Sequence, residues 1–330
     1  MTLSLGIVGL PNVGKSTLFN ALTKKSVPAE NYPFCTIDPS VGIVPVPDDR
    51  LYKLSELSKS EKTIPAVIEF VDIAGLVKGA SKGEGLGNKF LTNIREVDAI
   101  AHVVRTFQDP FIIHVENKIS PLDDIGVINL ELVLSDFETV SKRISNLSKE
   151  LKKQEKEAVV EEEILKKLMK VFEEGKMATD ANLSDDEKFK IKSLNLLTLK
   201  PMLYVLNTSE ASENLEVGLP NIFSVKVDPV FEQGFDDLIK KSYELLGLET
   251  YFTTGTDETR AWTIKIGSTA PIAGTAIHTD FKDKFIRAEV VYWKDLLDAG
   301  SYIEARAKGK VRTEGKDYIV KDGDVIEFKI

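Results

Sequence analysis

The stretch Leu3-Ser-Leu-Gly-Ile-Val-Gly9-Leu-Pro-Asn12-Val13-Gly14-Lys15-Ser16-Thr17 decides how this chain reads. Leu3 to Val8 is an apolar run of strand length, and a helical pattern begins at Thr17-Leu18-Phe19-Asn20-Ala21-Leu22. Between them lies G-x-x-x-x-G-K-S, in the strand–loop–helix setting that makes this spacing a phosphate cradle. Gly9 and Gly14 permit backbone angles and close approaches that a Cβ would obstruct, so successive N–H groups can face phosphate oxygens. The helix N-terminus adds unpaired N–H groups and partial positive charge. Lys15 is placed to reach the β- and γ-phosphates, and the Ser16 hydroxyl to ligate Mg²⁺. Asn12, Val13, Gly14, Lys15, Ser16 and Thr17 are therefore candidate nucleotide contacts. A glycine turn with a chance Lys-Ser is the other reading, and motifs downstream weigh against it.

The first of these is Pro28-Ala-Glu-Asn-Tyr-Pro-Phe-Cys-Thr36-Ile-Asp-Pro39, too rich in proline for helix or central strand. Thr36 stands where P-loop GTPases place a threonine on Mg²⁺ and the γ-phosphate; an ordinary loop threonine is the alternative. Next, the apolar run Ala66 to Val71 ends in Asp72-Ile-Ala-Gly75, where Asp72 would hold a Mg²⁺-bound water and the Gly75 N–H would sense the γ-phosphate. Glycines 79, 83, 85 and 87 then suggest a switch segment without fixed structure. The residue after D-x-x-G is Leu76, which has no donor or acceptor to orient water, so hydrolysis is expected to be slow or assisted. Two candidates for assistance stand out. Asn12 could help coordinate a monovalent cation, potassium, near the phosphates. His114, beyond the strand Ile100 to Arg105, could orient or deprotonate water as a neutral imidazole, or be an ordinary histidine near a strand end.

The base is expected at Pro201-Met-Leu-Tyr-Val-Leu-Asn207-Thr208-Ser-Glu210, an apolar strand ending in N-x-x-E. GTPases carry N-K-x-D here, with the aspartate on the guanine edge. Thr208 replaces the lysine, and Glu210 carries its carboxylate one methylene further, where it should clash with or miss guanine. Asn207 can pair with adenine N6 and N7. Adenine over guanine is the inference. Ser224-Val-Lys226, on the following strand, is close to the S-A-K base-packing loop of GTPases.

Bulk properties bound the rest. The 330 residues carry a net charge of −9, which argues against nonspecific nucleic-acid binding by the chain as a whole. A single cysteine, Cys35, excludes an intramolecular disulfide and fits a reducing compartment. The three histidines lack zinc spacing. With strand pattern from residue 3 and no apolar run of membrane-spanning length, neither a signal peptide nor a membrane span is expected, and the location expected is cytoplasmic. Residues 129–198 read as an inserted arm of amphipathic helices. In it Leu130, Leu134, Phe137 and Ile144 keep helical spacing, Ile164 to Phe172 mark a second helix, and the capping box Ser184-Asp-Asp-Glu187 starts a third through Ile191 and Leu194. From 248 to 330 short strands and glycine turns suggest a small α+β module.

Together these pieces resemble the YchF / Obg-like ATPase family. The resemblance rests on Gly9-Leu-Pro-Asn-Val-Gly-Lys-Ser-Thr17, Asn31-Tyr-Pro-Phe-Cys-Thr-Ile-Asp-Pro39, Asp72-Ile-Ala-Gly-Leu-Val-Lys-Gly-Ala80, N-x-x-E at 207–210 and Arg260-Ala-Trp-Thr-Ile-Lys265. It covers essentially the whole chain. It implies an α/β P-loop NTPase domain of GTPase type (1–128 and 199–247), an inserted helical coiled-coil arm (129–198), and a C-terminal TGS domain of ubiquitin-like β-grasp fold (248–330). It also implies ATP in preference to GTP, a Mg²⁺ requirement, slow partner-dependent hydrolysis, His114 as the catalytic histidine, and ribosomes or a ribosomal subunit as partner. A monomer that binds neither DNA nor membrane is expected. Two departures are visible: the chain is short for the family, and Ser224-Val-Lys226 replaces S-A-K. The competing readings are a GTPase with relaxed base recognition, and a ribosome- or RNA-binding adaptor in which hydrolysis is incidental.

Overall fold

The computed structural model describes residues 3–24, 40–73, 86–109, 119–152, 156–209 and 223–330. Strand β1 (Ser4–Val8) leads into α1 (Lys15–Thr23), and β2 (Val41–Pro45) precedes α2 (Asp49–Ser58). The Asp48 side chain accepts from Arg50 N and starts α2, while Lys59 at φ 52° ends it. Short β3 (Lys62–Ile64) and longer β4 (Val67–Asp72) follow, then α3 (Leu86–Glu96) and β5 (Ala99–Arg105). The arm is α4 (Pro121–Lys152), α5 (Lys156–Glu173) and α6 (Asp185–Lys190); β6 (Met202–Asn207), β7 (Ser224–Val227) and α7 (Phe235–Leu245) come after it. The last segment runs β8 (Leu248–Thr254), β9 (Glu258–Lys265), α8 (Ala270–Gly274), α9 (Asp280–Lys284), β10 (Arg287–Tyr292), α10 (Trp293–Ala299), α11 (Tyr302–Ala307), β11 (Arg312–Glu314) and β12 (Asp324–Lys329).

Close contacts divide the chain into two compact units, residues 4–21 with 70–234, and residues 1–3 with 22–69 and 235–330. The unit boundaries differ from the domain limits read from the sequence, because β4 passes from one unit to the other and α2, β3 and α7 pack with the C-terminal strands.

In the first unit the C-terminal half of β4, then β1, β5, β6 and β7 lie side by side in that order. The β1–β5, β5–β6 and β6–β7 pairs are parallel. Burial on both faces explains why β5 reads as continuous apolar sequence: every one of its residues is inside. The arm has its own core, in which Val133, Val140 and Leu147 of α4 meet Ile164, Leu165, Leu168 and Phe172 of α5. The capping box at Ser184 is present, its side chain accepting from Glu187 N while the Glu187 carboxylate accepts from Ser184 N. The third helix is shorter than the spacing suggests. It stops at Lys190, and the 3₁₀ turn Lys192–Leu194 carries Ile191 and Leu194 onward before Asn195 at φ 46° reverses the chain. Gly87 likewise lies inside α3, where the glycine spacing suggests a segment without fixed structure.

In the second unit β11, β10, β12, β8, β9 and β3 form a mixed sheet in that order, and β2 lies beside the N-terminal half of β4, with Val46 N donating to Ala66 O. Two apolar clusters sandwich the mixed sheet. One joins Leu51 and Leu54 of α2 to Phe252, Val291 and Leu296; the other gathers Tyr251, Ile264, Ala273, Phe285 and Ile326. Helix α8 is short, closing after Gly274. Among the described residues no helix is long and apolar enough to cross a membrane.

Candidate nucleotide site

In an open parallel sheet, ligands bind beyond the carboxyl ends of the strands. Here those ends bring together the loop after β1, Asp72 of β4, Arg105 of β5 and Asn207 of β6, with Arg105 level with Asn207 and Asn207 level with Val227. The loop is tightly fitted. A Cβ on Gly9 would lie 2.6 Å from the Val103 carbonyl oxygen, so β1 and β5 approach too closely there for any side chain. Gly14, at φ +94°, would place a Cβ 2.2 Å from Asn207 Nδ2. That amide nitrogen donates to the Val13 carbonyl at 2.8 Å, and Thr106 donates through its N–H and its Oγ1 to the Asn207 carbonyl, at 3.0 and 2.8 Å. The ends of β5 and β6 are thereby tied to the loop that follows β1.

Helix α1 opens with Leu18 N donating to Gly14 O at 2.9 Å. Its first turn therefore offers the N–H groups of Lys15, Ser16 and Thr17 no acceptor within the helix, which is the anion-binding property of a helix start. Ser16 and Thr17 are exposed, as is Asn12 at φ 62°. Lys15 is buried, and its Nζ donates to the Leu10 carbonyl at 2.8 Å. Burial holds its pKa below the ordinary lysine value, with the Asp72 carboxylate partly offsetting that. Asp72 is raised by burial and eased by Lys15. Ser16 and Asp72 are hard oxygen donors that suit Mg²⁺, an ion usually completed by phosphates and waters rather than by an all-protein cage. Among the described residues no three carboxylate, histidine or cysteine side chains gather as a metal cluster.

Not every expected residue arrives at this end. Ser224 is level with Tyr204, three strand positions and about 10 Å back from Asn207. It starts β7, and just past the far end comes Asp228, whose Oδ1 accepts from Val230 N and Phe231 N. Thr208 does sit at the end of β6, but its N–H and its hydroxyl both donate to Val227 O, so it joins β6 to β7. Thr36, Gly75, Leu76, His114, Glu210 and Cys35 lie outside the described residues.

Three residues here escape a reading based on motifs. Arg105 is fully buried, donates to the Phe107 and Asp109 carbonyls, and stacks 4.6 Å from the centre of the half-buried Phe107 ring. Phe107 thus stands as a braced aromatic surface beside the Asn207 strand end. His102, level with Val8, is buried; burial and then the charge of Lys15 push its pKa down to about 3, so it stays neutral. None belongs to a spaced motif. The one signal in the sequence is that His102 and Arg105 are polar residues inside an apolar strand; Phe107 has none.

The fold and the phosphate loop define a P-loop protein of GTPase type. A family model described as a 50S ribosome-binding GTPase matches residues 4–208, and a YchF C-terminal model, described as a protein of unknown function, matches 248–330. The chain is 52% identical to the "Ribosome-binding ATPase YchF" of Bacillus subtilis over 363 aligned positions, covering all of this chain and 99% of that protein. It is 47% identical to the Haemophilus influenzae protein of the same name, with the same coverage. A solved structure, the YchF GTPase of Schizosaccharomyces pombe, superposes with TM-score 0.86 at 38% identity over 99% of this chain and 98% of that one. The chain belongs to the YchF family.

Proposed function

We propose that this protein is a Mg²⁺-dependent ATPase of slow turnover whose nucleotide state controls its engagement of ribosomes. The observation that carries the reading is the cradle from Gly9 to Thr17, with a helix start whose first N–H groups lack helical acceptors and a buried Lys15 beside Asp72. Ser16 and Asp72, with Thr36, would hold the metal, which supplies charge neutralisation on the phosphate oxygens. Asn12 is the candidate for a potassium ion. Water attacks the γ-phosphorus, the bond to the β–γ bridging oxygen breaks, and ADP and phosphate leave. With Leu76 in place of a water-orienting glutamine, His114 takes the water's proton. Adenine is favoured because Thr208 uses its hydroxyl on β7 and Glu210 replaces the guanine-reading aspartate. Asn207, whose amide also donates to Val13, would present the rest of that amide to the base, and Phe107 offers a ring to stack on it. Ser224 has no part in base contact in this reading, given its place at the start of β7. The name shared by the bacterial relatives supports the ribosome as partner; a cytoplasmic monomer fits both.

The GTPase wording of the matching family model and of the yeast relative favours a second reading, a GTPase with relaxed base recognition. A titration with ATP and GTP, Mg²⁺ present, decides between them. ATP should bind at least tenfold more tightly, and equal or better GTP affinity overturns the adenine reading. His114→Ala should lose most hydrolysis while keeping ATP affinity; unchanged turnover removes it from the chemistry.

A further inference from the structure

In the mixed sheet the two central strands, β12 and β8, part from one another. They run parallel and share one residue pair, Val325 with Phe252. The register would next match Glu327 with Thr254, and that pair does not form. Each strand instead stays with its outer neighbour: Thr254 is level with Thr259 of β9, and Phe328 with Ala288 of β10. A cavity of about 690 Å³ opens in the fork, lined by Thr253, Thr254 and Gly255 from the one strand and Ile326, Glu327 and Phe328 from the other. That volume is the size of a small-molecule site.

The fork leaves hydrogen-bonding groups without a rung to join. Backbone groups of a strand point alternately to its two neighbours. Gly255 N donates to Glu258 O on the β9 side, so Thr254 presents its own N–H and carbonyl toward β12. Trp293 N donates to Gly323 O on the β10 side, and by the same alternation Phe328 presents its N–H toward β8. A continued ladder would have joined that N–H to the Thr254 carbonyl. Tyr302 of α11 also lines the cavity, and its buried hydroxyl has no partner among the described residues. Burial, then the carboxylates of Glu327 and Glu289, push its pKa up to about 12, so the hydroxyl keeps its proton and is a donor. A buried polar group without a partner, at the wall of a cavity, marks where a ligand's own polar atom would sit. Among the described residues no lysine, arginine or histidine lines the fork, and the carboxylate there, Glu327, pairs with Lys329. An anion finds no counter-charge, and a cation finds a carboxylate already matched. The rings of Phe281 and Phe328, edge to face with centroids 5.7 Å apart, add an aromatic wall.

We propose that the fork between β8 and β12 binds a small neutral aromatic amide, its N–H donating to the Thr254 carbonyl and its carbonyl accepting from the Phe328 N–H, with the Tyr302 hydroxyl as a further donor. A trans secondary amide carries N–H and C=O on opposite edges, which is what replacing one missing rung between two strands requires.

The test uses the full-length protein with acetanilide as the probe, read by ligand-observed NMR and by the protein's own amide signals. Acetanilide should bind with a millimolar dissociation constant and shift the Thr254 and Phe328 amide signals, whereas benzoate, equally flat but anionic, should not bind. Tyr302→Phe should weaken acetanilide about fivefold, the loss of one neutral hydrogen bond. Thr256→Trp, which adds a ring at an exposed lining position, should abolish its binding. ATP affinity should be the same in the wild type and both variants, which keeps this outcome separate from that of the nucleotide site. No binding at millimolar acetanilide overturns the proposal. So does binding that both variants leave unchanged, which would place the probe elsewhere. Benzoate binding as tightly as acetanilide overturns it too, because the amide would then not be what the fork reads.

Discussion

The two sheets of this molecule spend their buried polar groups differently. In the C-terminal unit many bond to neighbouring side chains: the Tyr243 hydroxyl to Thr250 and Thr263, and Thr259 to Ser60 and Thr254, while Ser242 Oγ and Tyr302 Oη have no partner among the described residues. In the parallel sheet they gather at the carboxyl ends of the strands, where Lys15, Arg105 and Asn207 bond mainly to loop carbonyls and His102 leaves its Nδ1 without a partner among the described residues. A group satisfied by a neighbouring side chain stabilises a fold. A charge held against loop carbonyls at a sheet's ligand-binding edge is poised for something else. Substitutions at these bonded groups should therefore separate the two regions, one losing nucleotide and the other losing only stability.

The largest separation is expected at the phosphate loop. Lys15→Ala should weaken ATP binding about a hundredfold, the loss of charge-assisted bonds to phosphate, with little change in melting temperature. A retained ATP affinity, read by calorimetry, would show that the loop is only a turn. His102 comes next and acts through pH. Its native pKa near 3 lies below the unfolded value of about 6.5, so between these the unfolded chain binds the extra proton and stability falls as the solution is acidified. Between pH 6.5 and 5 the cost is about 2 kcal/mol. In His102→Phe this part of the acid sensitivity should vanish, which melting curves at the two pH values would reveal.

Much of the parallel sheet is legible because its chemistry is local in sequence. The phosphate loop needs glycine at 9 and 14 and lysine at 15, and a strand buried on both faces can hardly avoid a run such as Ile100 to Val104. The role of Asn207 is half legible. Spacing makes it the proposed base contact, but its bond to Val13 spans 194 positions and no local pattern encodes it. Ser224 is misplaced by its motif for a related reason: a tripeptide resembling S-A-K does not say how far along its strand it sits, and register sets that. Helix α2 and strand β3 escape a local reading because what secures them, Arg50 to Asp322 and β3 beside β9, lies far along the chain. Arg105 and Phe107 escape it because a buried cation stacked on a ring has no spacing.

The smallest effect tests the other side of the comparison. Tyr243 is pushed up to about 12 by burial, so its hydroxyl stays protonated throughout the physiological range and always has a proton to donate. Its side-chain partners, Thr250 and Thr263, are hydroxyls that can turn toward water or toward each other once it is gone, and its third contact, the Glu249 carbonyl, is a long 3.3 Å, so Tyr243→Phe leaves no charge stranded and should cost only about 1 kcal/mol. ATP affinity and turnover should be untouched, because nothing in this cluster faces a strand end where a ligand would sit. If Tyr243→Phe instead changed nucleotide binding by tenfold, the polar groups of the C-terminal sheet would be coupled to the phosphate loop, and the division between a sheet that binds nucleotide and a sheet that does not would have to be abandoned.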